Sequence, residues 1–352
     1  MSLQAGRLQP NQDAEYHDFL DRLGQTSPAV LGYHYPVYRD MLCHAGIGEP
    51  VYLGARQEGR LTGVLPAFRR KTAAGTVYSS LPFFGPNAGV LCESGETRKK
   101  IHESLLTALL DQARADEALS CSVYTPFLDE DFQGYEAVFG DAVKTLKFTQ
   151  YNELGAPVWE HGALGRNLKK AKRSGMIISA EVTAEKLECF YALYEQECRA
   201  NGIPVKPKAG VFFLAEKGVA SGRAKLYFAY LNGQMAGGLM VLWSPQTVSY
   251  YIPCVHPDAK THQPGVALIQ HAMECAAQAG LRFWNWESSP DRESGVYRFK
   301  KKWSAVEASY RIYLKIFCKE RLEELGREGI VRHFPFFYVY PFSQLRENTL
   351  SL

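Results

Sequence analysis

Two stretches of the chain repeat one pattern of apolar and polar positions. Residues 51–68 (VYLGARQEGRLTGVLPAF) and 226–243 (LYFAYLNGQMAGGLMVLW) each place two apolar, aromatic-containing runs around a short polar turn. The turns contain Gly59 in the first stretch and Gly233 in the second, and glycine-containing turns between such runs are typical of β-hairpins. The pattern therefore predicts two equivalent hairpins.

The segments that follow the two hairpins also correspond. Each hairpin precedes a third extended run, a helix with apolar residues at three-to-four spacing, and a final strand. In chain order these segments are residues 76–81, 97–116 and 118–125 in the first copy and residues 247–252, 264–280 and 281–288 in the second. Chance similarity between short amphipathic segments is the alternative. Five elements in one order favour a duplicated α/β unit.

The duplication suggests where the domains lie. A chain of 352 residues is longer than one hydrophobic core usually supports, and a stretch with glycine and proline near residues 150–160 separates the copies. We expect a first domain over residues 1–155 and a second over residues 156–318, which carries the active site. A helix and an aromatic tail, residues 319–352, are expected to pack on the body of the protein.

Composition excludes several classes of protein. The formal net charge is only +3, so an electrostatic partner has to be sought in local clusters. The eight cysteines form no C-x-x-C pair, which argues against a zinc site and a disulfide framework, and we expect no metal. No apolar run approaches the ~18 residues that span a bilayer, and the N-terminus is polar and acidic. A cytoplasmic protein without stable membrane insertion is expected.

Two basic stretches are candidates for chemistry. RNLKKAKRSG (166–175) holds five cations and no acid, and on a helix Arg166, Lys169, Lys170 and Arg173 form one stripe. Such a stripe can contact phosphates or an RNA backbone, or it can be a solvated helix face. In GVYRFKKKW (295–303), helical spacing makes the aromatic side chains anchors for the helix. Its last two lysines are expected to be solvated.

The order of elements, the duplication and these two basic stretches resemble the Fem-type branch of the GNAT acyltransferase superfamily. That branch includes peptidoglycan aminoacyltransferases and acyltransferases of polysaccharide gene clusters. The resemblance covers residues 30–315 and is strongest over 160–310. It implies an α/β fold of two tandem GNAT-like domains, with mixed, mostly antiparallel sheets flanked by helices and a cleft between or beside them.

The resemblance also implies catalytic residues. Lys300 matches the lysine of the family's Phe-Lys pair and would stabilise the oxyanion of an acyl-transfer intermediate. Glu287 is a candidate through its position alone, since a carboxylate at the end of the last strand could take a proton from the attacking amine if burial raises its pKa. Tyr297 would serve as the general acid for the leaving group. A structural role for Glu287, paired with Arg282 or Arg298, is the alternative.

Donor and acceptor positions follow from the same resemblance. The family's phosphate loop corresponds to His262, Gln263, Gly265 and Ala267, with Tyr251 on the neighbouring strand. The histidine departs from the usual Gln or Arg, and Pro264 removes one backbone N–H from the loop, which puts coenzyme A in doubt. Acyl-CoA, an acyl carrier protein and a charged tRNA all remain possible donors. In the first domain, Phe84 and Asn87 of the loop SLPFFGPNAGVL (80–91) would face the acceptor.

The expected activity is transfer of an acyl or aminoacyl group to an amine or sugar of a cell-envelope or exopolysaccharide precursor. The donor would be a co-substrate, so no bound cofactor is expected. Two alternatives stay open. One is a catalytically degenerate GNAT-like protein that binds a phosphorylated glycan precursor or RNA, and the other is an RNA-binding protein that uses the two basic stretches.

Overall fold

The structure, a computed structural model, describes residues 3–83, 88–155 and 162–342. Short 3-10 helices and one π-helical turn connect the regular elements. The α-helices among the described residues are α1 (Asp13–Gly24), α2 (Pro36–His44), α3 (Arg98–Ala115), α4 (Gln133–Val138), α5 (Gly162–Arg173), α6 (Ala184–Ala200), α7 (Lys208–Phe213), α8 (Pro264–Gln278), α9 (Gly295–Lys302) and α10 (Lys319–His333).

The strands are mostly antiparallel to their neighbours. In chain order they are β1 (Leu3–Arg7), β2 (Glu49–Pro50), β3 (Leu53–Gln57), β4 (Arg60–Leu65), β5 (Phe68–Thr72), β6 (Gly75–Ser79), β7 (Leu91–Cys92), β8 (Ser120–Tyr124), β9 (Val143–Glu153), β10 (Ile177–Ser179), β11 (Ala224–Leu231), β12 (Gln234–Trp243), β13 (Thr247–Val255), β14 (Phe283–Ser288) and β15 (Val306–Ile316).

The chain forms two compact units, and neither unit is one continuous stretch. The described residues of the first unit are drawn from Met1–Leu23, Gly46–Lys147 and Ser309–Leu352, and those of the second from Gly24–Ala45 and Phe148–Ala308. The boundaries expected from the sequence treated each domain as continuous. The structure differs, because residues 24–45 and 148–155 belong to the second unit and residues 309–318 belong to the first. The C-terminal helix and the described part of the tail also belong to the first unit.

Buried hydrogen bonds explain why residues 24–45 belong to the second unit. The side chain of Gln246 donates to the carbonyl of Gly24 at 3.0 Å, and the hydroxyl of Thr247 donates to the carbonyl of Pro28 at 3.1 Å. Buried polar groups need partners, so these bonds hold the segment against the start of β13. No pattern within residues 24–45 indicates a partner more than 200 residues away in sequence.

In the second unit the strands follow the hydrogen-bonded order β10-β11-β12-β13-β14-β9. β13 and β14 are parallel and pair over three positions, of which Ser249 opposite Asn285 is the last. Beyond this pair β13 continues to Val255 and β14 to Ser288 without further pairing to each other. The two strands therefore separate at their carboxyl ends. Helix α8 covers β12 and β13 with an apolar face that includes Leu268 and Ile269.

The first unit repeats this plan with a break. β3, β4 and β7 form one small sheet with β1, while β2, β5, β6, β8 and β15 are neighbours in that order in another. β6 and β8 are parallel, as β13 and β14 are. The aromatic tail after α10 belongs to this unit, since Phe334 and Phe337 are buried and the backbone N–H of Phe83 donates to the carbonyl of Phe336.

Both hairpins predicted from the repeated pattern are present, and they correspond in detail. The turn residues Glu58 and Gly59 have φ of 53° and 81°, and Asn232 and Gly233 have φ of 51° and 78°. Each hairpin also contains a register irregularity at the same place, after Ala55 in the first and after Ala229 in the second. A shared bulge at matching positions supports duplication, because bulges are specific local features.

The described part of the chain contains no helix that combines the length and the apolar character required to cross a bilayer.

The matching turns predict matching stability effects. We expect Gly59→Ala and Gly233→Ala each to lower the free energy of unfolding by about 1–2 kcal/mol, the cost of a Cβ in the left-handed region. A Cβ at either position would meet no other atom, so backbone conformation alone causes the loss. Denaturant unfolding measures it. Gly6→Ala is the control, since Gly6 is equally uncrowded and lacks a positive φ. An equal loss in the control would contradict this explanation.

Candidate active site

Glu287 occupies an irregular position at the end of β14. The register between β14 and β9 shifts between Asn285 and Ser288, so that β14 bulges there. Glu287 has a φ of 62°, a left-handed conformation that is uncommon for a residue with a side chain. Strained backbone of this kind persists only where surrounding contacts impose it, and it is concentrated at functional sites.

Asn285 holds both the backbone and the carboxyl group of Glu287. Its side-chain oxygen accepts the N–H of Glu287 at 3.0 Å, and its side-chain nitrogen donates to Oε1 of Glu287 at 2.8 Å. The same oxygen accepts the hydroxyl of Thr149 at 3.0 Å, which fixes the orientation of the amide. Asn285 is fully buried, so these bonds are protected from water. They aim the carboxyl group in one direction.

The surroundings of Glu287 place its titration near neutrality. Burial raises the pKa of Glu287 to about 7, although hydrogen bonds from Tyr33 and Ser249 and the charges of Lys300 and Lys206 lower it. The hydroxyl of Tyr33 donates to Oε1 at 2.9 Å. The Glu287 side chain nevertheless retains partial exposure. A carboxyl group with this pKa and access to solvent can accept a proton from an amine at neutral pH.

The structure places Lys300 beneath the Glu287 turn. The Lys300 ammonium donates to the carbonyl oxygens of Glu287 and Ser288 at 2.9 and 3.0 Å. The side chain is 2% exposed, and burial lowers its pKa to about 8. Lys300 thus fixes the turn from inside and shapes the field at Glu287. The resemblance had suggested a position of the ammonium beside the donor. Lys300 is instead absent from the lining of the candidate donor cavity between β13 and the start of α8.

The aromatic anchors of the Lys300 helix behave as the sequence predicted. Trp303 is fully buried, and the ring of Phe299 packs against Trp286 and Trp303. Lys301 and Lys302 are exposed, although Lys301 also donates to the carbonyl of Ala305 at 3.1 Å.

A second cation, Lys206, lies near Glu287. Two tyrosine hydroxyls of α6 hold its backbone. The hydroxyl of Tyr191 donates to the carbonyl of Lys206 at 3.0 Å, and the N–H of Lys206 donates to the hydroxyl of Tyr194 at 3.1 Å. Its ammonium lies 5.1 Å from the ring centre of Tyr251. Burial lowers the pKa of Lys206, and the charge of Glu287 opposes that shift. Both flanking cations therefore favour the ionised form of Glu287.

Three tyrosines form one wall of the site. The ring centres of Tyr33 and Tyr38 are 5.0 Å apart, and Tyr251 lies 5.7 Å from Tyr33 and 6.1 Å from Tyr38. Burial raises the pKa of each phenol, so all three remain neutral hydrogen-bonding groups. Tyr251, expected to bind the donor, therefore belongs to the wall beside Glu287.

A cavity of about 380 Å³ opens where β13 and β14 separate. Its lining includes Tyr250 and Pro253 of β13, Phe299 of α9, and Gln263 and Gly265 at the start of α8. Pro253 has no N–H to donate to a neighbouring strand, which is consistent with the local opening. Tyr250 and Tyr251 are consecutive residues of one strand, so β13 connects this candidate donor cavity to the tyrosine wall.

Two further donor-loop residues have different positions. The N–H of Ala267 donates to the carbonyl of Gln263 at 3.1 Å in the first turn of α8. His262 lines a different cavity of about 560 Å³, together with residues such as Cys189 and Met235. The structure therefore brings Gln263 and Gly265 to the candidate donor cavity and places His262 outside its lining.

Tyr297 and the remaining candidates do not reach the Glu287 cluster. The hydroxyl of Tyr297 donates to Glu307 at 2.6 Å, and this bond raises its pKa. Arg166, Lys169, Lys170 and Arg173 lie on the exposed side of α5, as the helical stripe predicted. Phe84 and Asn87 lie outside the described residues, and so does part of the loop SLPFFGPNAGVL.

Reasoning from the sequence missed Tyr33, Lys206 and Asn285. Tyr33 lies in the N-terminal half of the chain, where nothing indicates a contact with residue 287. Lys206 stands between Pro204 and Pro207, and this enclosure by prolines was a usable sign of a fixed position. Asn285 lies two residues before Glu287, a spacing that puts both side chains on one face of a strand, and this was the available signal for its role.

Known proteins share this fold. Residues 162–287 match the family model described as an acetyltransferase (GNAT) domain. The matched segment includes Glu287 and every lining residue of the candidate donor cavity except Phe299. No curated protein sequence matches the chain significantly.

Solved structures resemble the chain over most of its length. FemX matches with a TM-score of 0.69 at 12% identity, over 90% of this chain and 98% of FemX. A tandem GNAT protein from the clavulanic acid biosynthesis pathway has a TM-score of 0.55 at 14% identity, over 90% of this chain and 98% of its own. The C-terminal domain of a putative lysylphosphatidylglycerol synthetase from Agrobacterium fabrum has a TM-score of 0.56 at 10% identity, over 94% of this chain and 98% of its own. These likenesses confirm the fold of two tandem GNAT-like domains.

The position of Lys300 gives a stability prediction. We expect Lys300→Met to lower the free energy of unfolding by about 1–3 kcal/mol, because it leaves two carbonyl oxygens without their donor. Denaturant unfolding measures the change. The matched control is Lys302→Met on the same helix, where the side chain is exposed and a change within about 0.5 kcal/mol is expected. Equal effects of the two substitutions would argue against a structural role for Lys300.

Proposed function

We propose that the protein is an N-acyltransferase that moves an acyl or aminoacyl group from a thioester donor to an amine. The reaction forms a C–N bond and breaks the C–S bond of the donor. Glu287 takes a proton from the attacking nitrogen, and the departing thiolate gains a proton from Glu287 or through solvent, which restores the carboxylate. The atoms balance without a cofactor or a further reactant.

The observation that carries this proposal is the state of Glu287. Its pKa of about 7 makes it an effective proton acceptor at neutral pH, where an ordinary carboxyl group is a weak base. It also lies at the end of β14, next to the point where β13 and β14 separate. Glu287 thus combines the required basicity with a position beside the opened sheet.

The lining of the candidate donor cavity favours a thioester as the donor. Apolar residues dominate its lining, among them Leu239, Val266 and Ile269, while Lys260 and Gln263 supply polar groups near the start of α8. An acyl chain or a pantetheine arm suits such a lining, and a phosphate suits a helix start with a nearby cation. Lys300, because it is buried beneath the turn, would support catalysis by holding Glu287.

The acceptor is proposed to be an amine of a cell-envelope or exopolysaccharide precursor. Support for this class comes from the resemblance of the sequence to the Fem-type branch. Tyr33 and Tyr38 are buried, whereas Tyr251 retains partial exposure. Its ring is compatible with a sugar, because aromatic faces pack on the apolar faces of sugar rings and phenols offer hydrogen bonds. The site would lie in the second unit, with Glu287 between the wall and the donor.

The first test removes the base. We expect Glu287→Gln to lower kcat/KM by about 100- to 10,000-fold, the usual contribution of a general base. The assay follows thiol release from acetyl, octanoyl and palmitoyl thioesters of coenzyme A and of a carrier protein, in the presence of amino sugars or amino acids. Donor binding, measured as a rise in Tm, should survive the substitution. Glu293→Gln is the control, since Glu293 is exposed on the following loop.

Three results would decide the case. Loss of turnover with retained donor binding supports catalysis by Glu287. Full activity of Glu287→Gln would refute its role as the base. Donor binding by a wild-type protein that turns over no thioester would favour a degenerate GNAT-like protein that only binds.

A second test uses the pH profile. The hydroxyl of Tyr33 stabilises the Glu287 carboxylate, so Tyr33→Phe should raise the pKa of Glu287 by about one unit. The base acts in its ionised form. We therefore expect kcat/KM of the wild type to fall as the pH drops through about 7, and that of Tyr33→Phe to fall at a higher pH. Tyr230→Phe, at the far end of β11, should leave the profile unchanged. An acidic limb that stays in place in Tyr33→Phe would exclude Glu287 as its source.

A further inference from the structure

Helix α5 carries an unusual surface. Its exposed side presents five cations, which we call the α5 cation face: Arg166, Lys169, Lys170, Lys172 and Arg173. No carboxylate in the described part of the chain is recorded within ion-pair distance of any of the five. Other helices differ, since Arg199 of α6 pairs with Glu195 at 2.9 Å and Arg321 of α10 pairs with Glu324 at 3.1 Å.

Uncompensated charge of one sign has a cost. Like charges along a helix repel one another, and one or two acidic residues would relieve the repulsion. Helix α5 contains none across its twelve residues. A surface of this kind is complementary to an acidic partner, which it would attract at long range.

The inner side of α5 connects this surface to the candidate donor cavity. Leu164 and Leu168 of α5 are buried in the same apolar cluster as Val266 and Ile269 of α8. Val266 and Ile269 also line the cavity. The α5 cation face is therefore the outer side of the helix that packs behind the donor cavity.

The start of α8 bears on the kind of donor. Pro264 has no N–H, and the N–H groups of Val266 and Ala267 both donate to the carbonyl of Gln263. Of the amides in the first turn, this leaves that of Gly265 for a ligand. A diphosphate binds a helix start through several converging N–H groups. The arrangement suits a donor with a single phosphate, assisted by Lys260.

We propose that the acyl donor is a thioester on the phosphopantetheine arm of an acidic carrier protein, which docks on the α5 cation face. This inference rests on the proposed function and specifies its donor. Such an arm has one phosphate where coenzyme A has a diphosphate. The amine attacks the thioester carbonyl, the C–S bond breaks, and the carrier is released with a free thiol.

Size and charge favour a protein over RNA. The cations occupy one helix of twelve residues, about 18 Å long, which matches a single acidic helix of a small partner. A nucleic-acid backbone spreads its charge over a longer path, and the net charge of the whole chain is only +3. Binding of RNA remains a measurable outcome of the test.

The experiment reverses the charge of the surface. The variant Lys169→Glu/Lys170→Glu is compared with the wild type on one acyl group presented in three forms: on an acidic acyl carrier protein, on coenzyme A and on free pantetheine. The control, Lys71→Glu/Lys100→Glu, makes the same charge change at exposed residues of the first unit. Circular dichroism checks that both variants are folded.

We expect the α5 variant to lose at least about tenfold in kcat/KM with the carrier-bound donor, mainly through KM, and to keep its activity with pantetheine. The wild-type rate with the carrier should fall with added salt, and that of the α5 variant should depend on salt less. The control should behave as the wild type. The proposal is overturned if coenzyme A is the better donor and the α5 variant uses the carrier normally.

Binding separates this proposal from the proposed function. Fluorescence anisotropy with labelled carrier protein reports docking whether or not turnover occurs. In one outcome the carrier binds to the wild type and the control but not to the α5 variant, while no protein turns over any thioester. That result would support the α5 cation face as the docking surface and refute the acyltransferase. Turnover of thioesters without salt-sensitive docking would support the acyltransferase and refute the α5 cation face as the docking surface. Preferential capture of a tRNA by the same face would replace the carrier protein with RNA and overturn the proposal.

Discussion

The candidate site depends on the turn at Glu287, where a buried ammonium and a buried amide hold a strained backbone. Lys300 supplies donors to two successive carbonyl oxygens, and Asn285 binds both the N–H and the carboxyl group of Glu287. Without these contacts a residue with a side chain would leave the left-handed conformation, which costs about 1–3 kcal/mol. The turn holds the carboxyl group against the side chains of Asn285 and Tyr33, and burial of that group raises its pKa toward neutrality.

The two copies of the repeated unit share their hairpins and differ at this turn. The parallel pairs Ser79–Ser122 and Ser249–Asn285 are equivalent, so Glu287 corresponds to Tyr124 in the first unit. The first unit thus has a tyrosine where the second unit has a carboxylate, and Tyr124 is buried against Tyr310. In the first unit the position equivalent to the base therefore serves packing. The chemistry proposed here belongs to the second unit.

Burial separates the lysines of this chain into different roles. Lys300 is buried and Lys206 partly buried, which lowers the pKa of each, and both are close enough to Glu287 to affect its titration. The lysines of α5 are solvated and act through their summed field. A lysine and its neighbour in the sequence can thus serve different purposes. Lys300 supports the turn from inside the protein, while Lys301 and Lys302 face solvent.

The sequence by itself determined the elements and the repeat. Apolar spacing and turn residues predicted the hairpins at Gly59 and Gly233 and helices α3, α5 and α8, because these features depend on local patterns. The resemblance to the Fem-type branch implied the tandem GNAT fold. It also pointed to Glu287 through its place at the end of a strand. Only the tertiary structure decided that Lys300 lies under the turn, that Tyr251 joins a wall with Tyr33 and Tyr38, and that residues 24–45 belong to the second unit. These outcomes depend on burial and on hydrogen bonds between residues up to 254 positions apart. No local pattern encodes a contact of that range.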